Sequence, residues 1–116
     1  MAVTCAMGTF AQETANDYQM TREEMDEYSI ESLRRANAAI DSGAFADEVV
    51  PVTFSTRKGE VTVEHDEQPG KGRPDKIPQL RPAFAKDGTI TAATSSSISD
   101  GAAAVVLSRE SVAKAN

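Results

Sequence analysis

The sequence predicts an α/β chain, and three observations carry that expectation. Thr21-Arg22-Glu23-Glu24 opens a long amphipathic run. Apolar and polar residues alternate on both sides of a turn between Val50 and Val63. Ala102–Leu107 is an unbroken apolar run that precedes a helix signal. A strand followed by a helix at the C-terminal end points to an α/β layer whose other strands are absent here.

The elements follow in order. Gly8–Tyr18 is the first expected helix, with Ala11, Ala15 and Tyr18 at i, i+4 and i+7. That spacing forms a narrow stripe of mostly small residues suited to close approach of another backbone. Gln19-Met20 interrupts it. The second helix carries a capping box: Thr21 at the N-cap and Glu24 three residues on satisfy two orphan amides. Acidic residues crowd its first turn, as the helix dipole favours. Met25, Tyr28, Leu33, Ala36 and Ile40 mark its apolar face, and Gly43 is its stop. A hairpin comes next: Val50, Val52 and Phe54 alternate, Thr56–Gly59 turns, and Val61 and Val63 alternate with Glu60, Thr62 and Glu64. Pro51 cannot donate to a ladder, so its strand is placed at an edge, and the ribbon is expected to be half exposed. Residues 65–79, with three prolines and two glycines, read as irregular. Thr89–Ala93 suits a short strand after the Asp87-Gly88 turn, and Asp100-Gly101 reads as another turn. Ala102–Leu107 fits a strand buried on both faces, or a short helix, with Ser108 as N-cap of the helix that follows.

Bulk properties exclude several functions. The chain has 116 residues, the length of one ordinary domain, and a net charge of −6. An autonomous nucleic-acid binder needs a basic face, so nucleic acid is not an expected partner. No run approaches the roughly 20 apolar residues of a membrane span, and no signal peptide is expected. Cys5 is the single cysteine, so a reducing, cytoplasmic compartment is the expectation. The apolar inventory is thin: four Phe, two Tyr and no Trp. A chain this size ordinarily needs a denser core to offset its ordering entropy, so it either leans on a partner surface or is part of something larger.

Candidate chemistry narrows quickly. Cys5 has no Lys, Arg or His before Arg22 to lower its pKa, and reads as a small buried residue rather than a nucleophile. His65 lies in Glu64-His65-Asp66-Glu67, where four consecutive residues do not converge as metal ligands do, so no metal site is expected. Ser95–Ser97, His65 and Asp100 lack the strained elbow of a serine hydrolase. Two stretches stay open. Seven Lys/Arg against five Asp/Glu fall between Arg57 and Lys86 in an otherwise acidic chain. They form either a solvated loop or the mouth of an anion site. The run ITAATSSSISDGAAAVVL, Ile90–Leu107, is either a tight loop or the wall of a narrow tunnel, where small side chains let a thin ligand pass and Ser hydroxyls bind its polar atoms.

An ordered set of motifs now carries a resemblance. It comprises Cys5-Ala6-Met7-Gly8-Thr9, Thr21–Glu27 (TREEMDE), Phe45–Val52 (FADEVVPV), Arg57-Lys58-Gly59 and Asp66-Glu67. It continues with Leu80-Arg81-Pro82-Ala83-Phe84, Asp87-Gly88-Thr89 and Ser99–Ala104 (SDGAAA). Together these resemble the central part of the thiolases, the acetyl-CoA acetyltransferase and 3-ketoacyl-CoA thiolase family, over nearly the whole chain.

The resemblance implies a partial thiolase fold. Residues 1–99 would be the later part of the loop domain that covers coenzyme A, with helices and a β-hairpin. Residues 100–116 would be one strand and the start of a helix of the N-terminal α/β half. It implies coenzyme A thioesters as substrates, with no separate cofactor, and a homo-oligomeric parent, dimer or tetramer. Met7 would lie near the acyl and pantetheine end, Ala83 and Phe84 against coenzyme A, and Ala92 and Ser96 along pantetheine. Ile98 would take a tunnel-lining aliphatic position. Departures are visible. Ala6 stands where many biosynthetic members have His, and Thr94 where Asn is usual. Pro69 takes the place of a basic phosphate contact, which would leave Lys71 or Arg73 to substitute. The family's nucleophilic Cys and its later His and Cys belong to other segments, so no catalytic residue is assigned in these 116. The implied activity is an acyltransferase fragment without catalytic residues. The alternative is a stand-alone coenzyme A-binding or interaction module. The isolated chain is expected to fold poorly.

Overall fold

Helix α1, Met7–Asp17, and helix α2, Arg22–Asp41, dominate a computed structural model that describes residues 6–99 and 101–115. Cys5 and Asp100, singled out above, lie outside the described residues. The capping box forms as the sequence requires. The Thr21 N–H and hydroxyl both donate to Glu24 Oε2 at 2.9 Å, and the Glu24 N–H donates back to Thr21 Oγ1 at 3.2 Å. At the far end Gly43 takes φ +70°, with Ala44 N–H on Ala39 O and Gly43 N–H on Ile40 O, the paired bonds that close a helix through a left-handed residue. The α1 terminus uses the same device with Gln19 at φ 55°, a conformation that glycine adopts at lower cost.

Strands β1, Val52–Thr56, and β2, Gly59–Val63, form an antiparallel hairpin in which Val52 faces Val63 and Phe54 faces Val61. Pro51 falls just before the ladder. The half-exposed ribbon is corrected: every position of both strands is exposed, and neither strand packs against another element.

Residues 65–79 are corrected from irregular to ordered. Asp66 caps a short helix α3, Glu67–Lys71, by accepting the Gln68 N–H at 2.9 Å. Pro74, whose fixed φ suits a first helical position, starts a 3-10 helix, Pro74–Gln79. Both pack on α2, where Leu33 occupies the space that a side chain at Gly72 would need. Residues 89–93 form no strand, because the Gln12 side chain rather than a neighbouring strand takes the Thr89 and Ile90 N–H groups. Ala102–Leu107 is likewise neither strand nor helix: Val106 is 96% and Leu107 91% exposed, and among the described residues no strand pairs with it. Ser108 is not an N-cap. The last helix, α4, spans Glu110–Ala113 after Arg109.

Among the described residues only Ala15, Ile77 and Ile90 are buried apolar side chains. The radius of gyration is 19.6 Å, against about 13 Å for a compact chain of this length. Among the described residues the buried apolar set is small for a domain of this length.

Candidate functional site

One cleft of about 1560 Å³ runs between α2, the 66–80 segment and the small-residue loop. Met25, Ser29 and Leu33 line it from α2. Lys71, Arg73 and Lys76 line it from the basic segment, and Ala92–Ser97 form the opposite wall. The two stretches left open by the sequence therefore border one space. Lys71 pairs with Glu67 at 2.9 Å, and among the described residues Arg73 and Lys76 form no ion pair.

The wall holds its shape through hydroxyls. Thr91, fully buried, donates its N–H to Thr94 Oγ1 at 2.8 Å, and its carbonyl accepts the Thr94 and Ser95 hydroxyls at 3.2 and 2.8 Å. Thr94 thus both accepts and donates within one turn. Behind the wall lies Gln12, 6% exposed, whose side-chain amide joins α1 to residues 89 and 90. Arg22 ties α2 to the 3-10 helix. It donates to Asp26 Oδ2 at 2.8 Å and to the carbonyls of Ile77 and Leu80 at 3.1 and 2.9 Å.

The six expected site residues divide among different places. Ala92 and Ser96 line the cleft, and the Ser96 hydroxyl has no hydrogen-bond partner among the described residues. The Phe84 ring lies over Gly8, where a Cβ would collide with it, and Met7, exposed, opens the same helix. Ala83 donates its N–H to Ile90 O at 2.9 Å, closing the 83–90 loop. Ile98 is fully exposed. Of the expected α1 stripe, Ala15 is buried while Ala11 and Tyr18 are exposed. Gln12, not Ala11, shares the inward face.

Gln12, Thr91 and the Arg22–Asp26 pair were not singled out from sequence. The opposite charges at i, i+4 in Arg22–Asp26 were the available signal for one of them. Two carboxylates on α2 are held below their ordinary range. Thr21's backbone N–H, and then its hydroxyl, lower Glu24, while hydrogen bonds from Arg34 and then Arg35 bring Glu31 down to about 2. His65, exposed, lies 3.6 Å from Glu64 Oε1. Among the described residues no cluster of three His, Cys, Asp or Glu side chains is placed to hold a metal ion, and no helix is long and apolar enough to cross a membrane.

The cleft sets a small-residue loop opposite a basic segment, and comparison with known proteins supplies the family. The profile of the thiolase N-terminal domain matches residues 1–111. The chain belongs to the thiolase family. It is 49% identical over 108 residues to an acetyl-CoA acetyltransferase of Yarrowia lipolytica, covering 93% of this chain and 27% of that protein. It is 47% identical over 110 residues to a mitochondrial acetyl-CoA acetyltransferase of Gibberella zeae, covering 93% of this chain and 26% of that one. The crystal structure of the Bacillus anthracis acetyl-CoA acetyltransferase superposes with a TM-score of 0.71 at 42% identity, over 75% of this chain and 22% of that chain. The fold is a part of the α/β thiolase fold. The chain spans about a quarter of the length of the curated relatives it matches.

Proposed function

We propose that these residues supply part of the coenzyme A-binding surface of a thiolase that condenses two acyl-CoA molecules or cleaves a 3-ketoacyl-CoA thiolytically. In this reading residues 1–99 are loop domain and 100–116 return to the N-terminal domain. One observation carries the proposal: the small-residue wall and the cationic segment border the same cleft. Coenzyme A is a thin, amide-bearing arm attached to a polyanionic nucleotide. A wall of Ala92, Ala93 and Ser95–Ser97 leaves room for the arm, and the Ser96 hydroxyl is available to its amides. Arg73 and Lys76 supply the positive field that the phosphates need, with Lys71 beside them. Met7 and Phe84 would meet the ligand beyond this wall, at the start of α1, and Ala83 and Ile98 would flank it.

The carbonyl chemistry falls to a nucleophilic Cys and to acid–base groups from other segments. This chain's residues bind and orient the thioester. A homo-oligomeric parent, dimer or tetramer, and cytoplasmic residence belong to the same proposal. The mitochondrial name of the Gibberella zeae relative makes residence a direct question for imaging of the tagged full-length protein.

In the full-length enzyme, Ser96→Trp is expected to narrow the slot and raise KM for coenzyme A substrates by about tenfold or more. Steady-state kinetics check this. An unchanged KM in folded enzyme rules the placement out. The exposed Ala102–Leu107 run weighs against a stand-alone module, since such a surface on a free domain invites association.

A further inference from the structure

We infer that Gln12 is a positioning residue: it fixes the cleft wall, and through it the affinity for the pantetheine arm. This rests on the coenzyme A reading of the cleft. Gln12 Oε1 accepts the N–H groups of Thr89 at 2.8 Å and Ile90 at 3.1 Å, while Nε2 donates to Asn16 Oδ1 at 3.0 Å and Thr89 Oγ1 at 3.1 Å. All four hydrogen-bonding positions of the amide are used, so Gln12 has none left for a ligand and acts only through the loop it holds. Ile90 adjoins Thr91, whose carbonyl and N–H anchor Thr94 and Ser95, and Ser96 follows. Two sets of hydrogen bonds, joined by the backbone at Ile90-Thr91, therefore connect the interior of α1 to the Thr94-Ser95 turn from which Ser96 follows. Gly88 belongs to the same joint, because a Cβ there would collide with Gln12 Oε1. Losing that oxygen leaves two amides without an acceptor and frees the wall to shift, and a displacement of about 1 Å in a positioning element costs up to about a hundredfold.

The test is steady-state kinetics of the full-length enzyme with two probes, a coenzyme A thioester and the truncated N-acetylcysteamine thioester. Gln12→Met is expected to raise KM for the coenzyme A thioester about fivefold, with kcat within about twofold and KM for the truncated thioester unchanged. A merely structural role would lower the folded fraction, hence apparent kcat, equally for both probes. Unmoved KM in folded Gln12→Met, or a loss confined to kcat and equal for both probes, overturns the inference. If Gln12→Met does not accumulate, Gly88→Ala displaces the same oxygen and is read the same way. Ser96→Trp separates the two levels. If it raises KM while Gln12→Met does not, only the positioning role falls; if neither moves KM, the cleft reading falls first.

Discussion

The segment made of α1, α2, the 3-10 helix and the 89–97 loop differs from the hairpin and the 101–109 run in how its polar groups are satisfied. In the first, few apolar side chains are buried, yet Gln12 and Arg22 hydrogen-bond to segments 55 residues or more away, and Thr91 ties the 91–95 turn to itself. In the second, apolar residues are plentiful and every one is exposed: Val52, Phe54, Val61 and Val63 on the hairpin, Val105 to Leu107 beyond it. Buried hydrogen bonds specify geometry where the participants all lie in this chain. Apolar surface orders nothing until a second surface meets it. The cleft lies in the first region, which explains how its walls are defined in a chain with so small a core.

The comparison breaks most sharply at Arg22. Arg22→Ala leaves the Asp26 carboxylate, 5% exposed, without its cation, and frees the Ile77 and Leu80 carbonyls. Removing one partner of a largely buried pair costs about 3 kcal/mol. In the full-length enzyme that loss is expected to reduce hydrogen-exchange protection across residues 74–80 more than at the β1–β2 ladder, which Arg22 does not touch. Asp26 Oδ1 already lacks a partner among the described residues, so the site has little reserve. Retained protection across 74–80 would mean that Ile77 packing alone, not the clamp, holds the 3-10 helix.

Much of the local structure was legible because its signals are local. Thr21 and Glu24 lie three residues apart, Gly43 supplies its own left-handed turn, and the hairpin alternates with period two. The expected strand at 89–93 failed because its N–H acceptor is a side chain 77 residues away, which no short-range pattern reports. The strand at 102–107 failed for the complementary reason. Six apolar residues state a preference for burial, and the sheet that would answer it is not among the described residues. The cleft was half legible: composition marked both of its borders, and only the packing of α3 and the 3-10 helix on α2 brings them together.

A smaller effect sharpens the comparison within α2. Glu31 is lowered to about 2 by Arg34 and Arg35, so its contribution is complete above the ordinary carboxylate value and is lost as pH falls from about 4.5 toward 2. Glu24, lowered by Thr21, loses its contribution in the same direction. The two differ in screening. Glu31 is paired with exposed guanidinium groups, and in 1 M salt the screening length is about 3 Å. Helicity followed by circular dichroism is expected to show an acid limb that Glu31→Gln reduces at low salt and leaves unchanged at 1 M. A limb equally sensitive to Glu31→Gln at both ionic strengths would assign the pair to the ordered region rather than to its solvated face.

The smallest effect is expected where apolar content is densest. Val106→Ser replaces two methyl groups with one hydroxyl on a side chain that touches mainly solvent, so in the 116-residue chain it should change residual hydrogen-exchange protection in α2 and residues 74–80 by the equivalent of less than about 0.5 kcal/mol. The same substitution at a buried position would cost several times more, because transfer and cavity terms add. A null result in hydrogen exchange supports the contrast: the 102–107 run carries a burial preference that the described residues do not meet. A marked loss would place that run against a surface within these residues, and the division between a self-satisfied region and a waiting one would have to move C-terminal to Leu107.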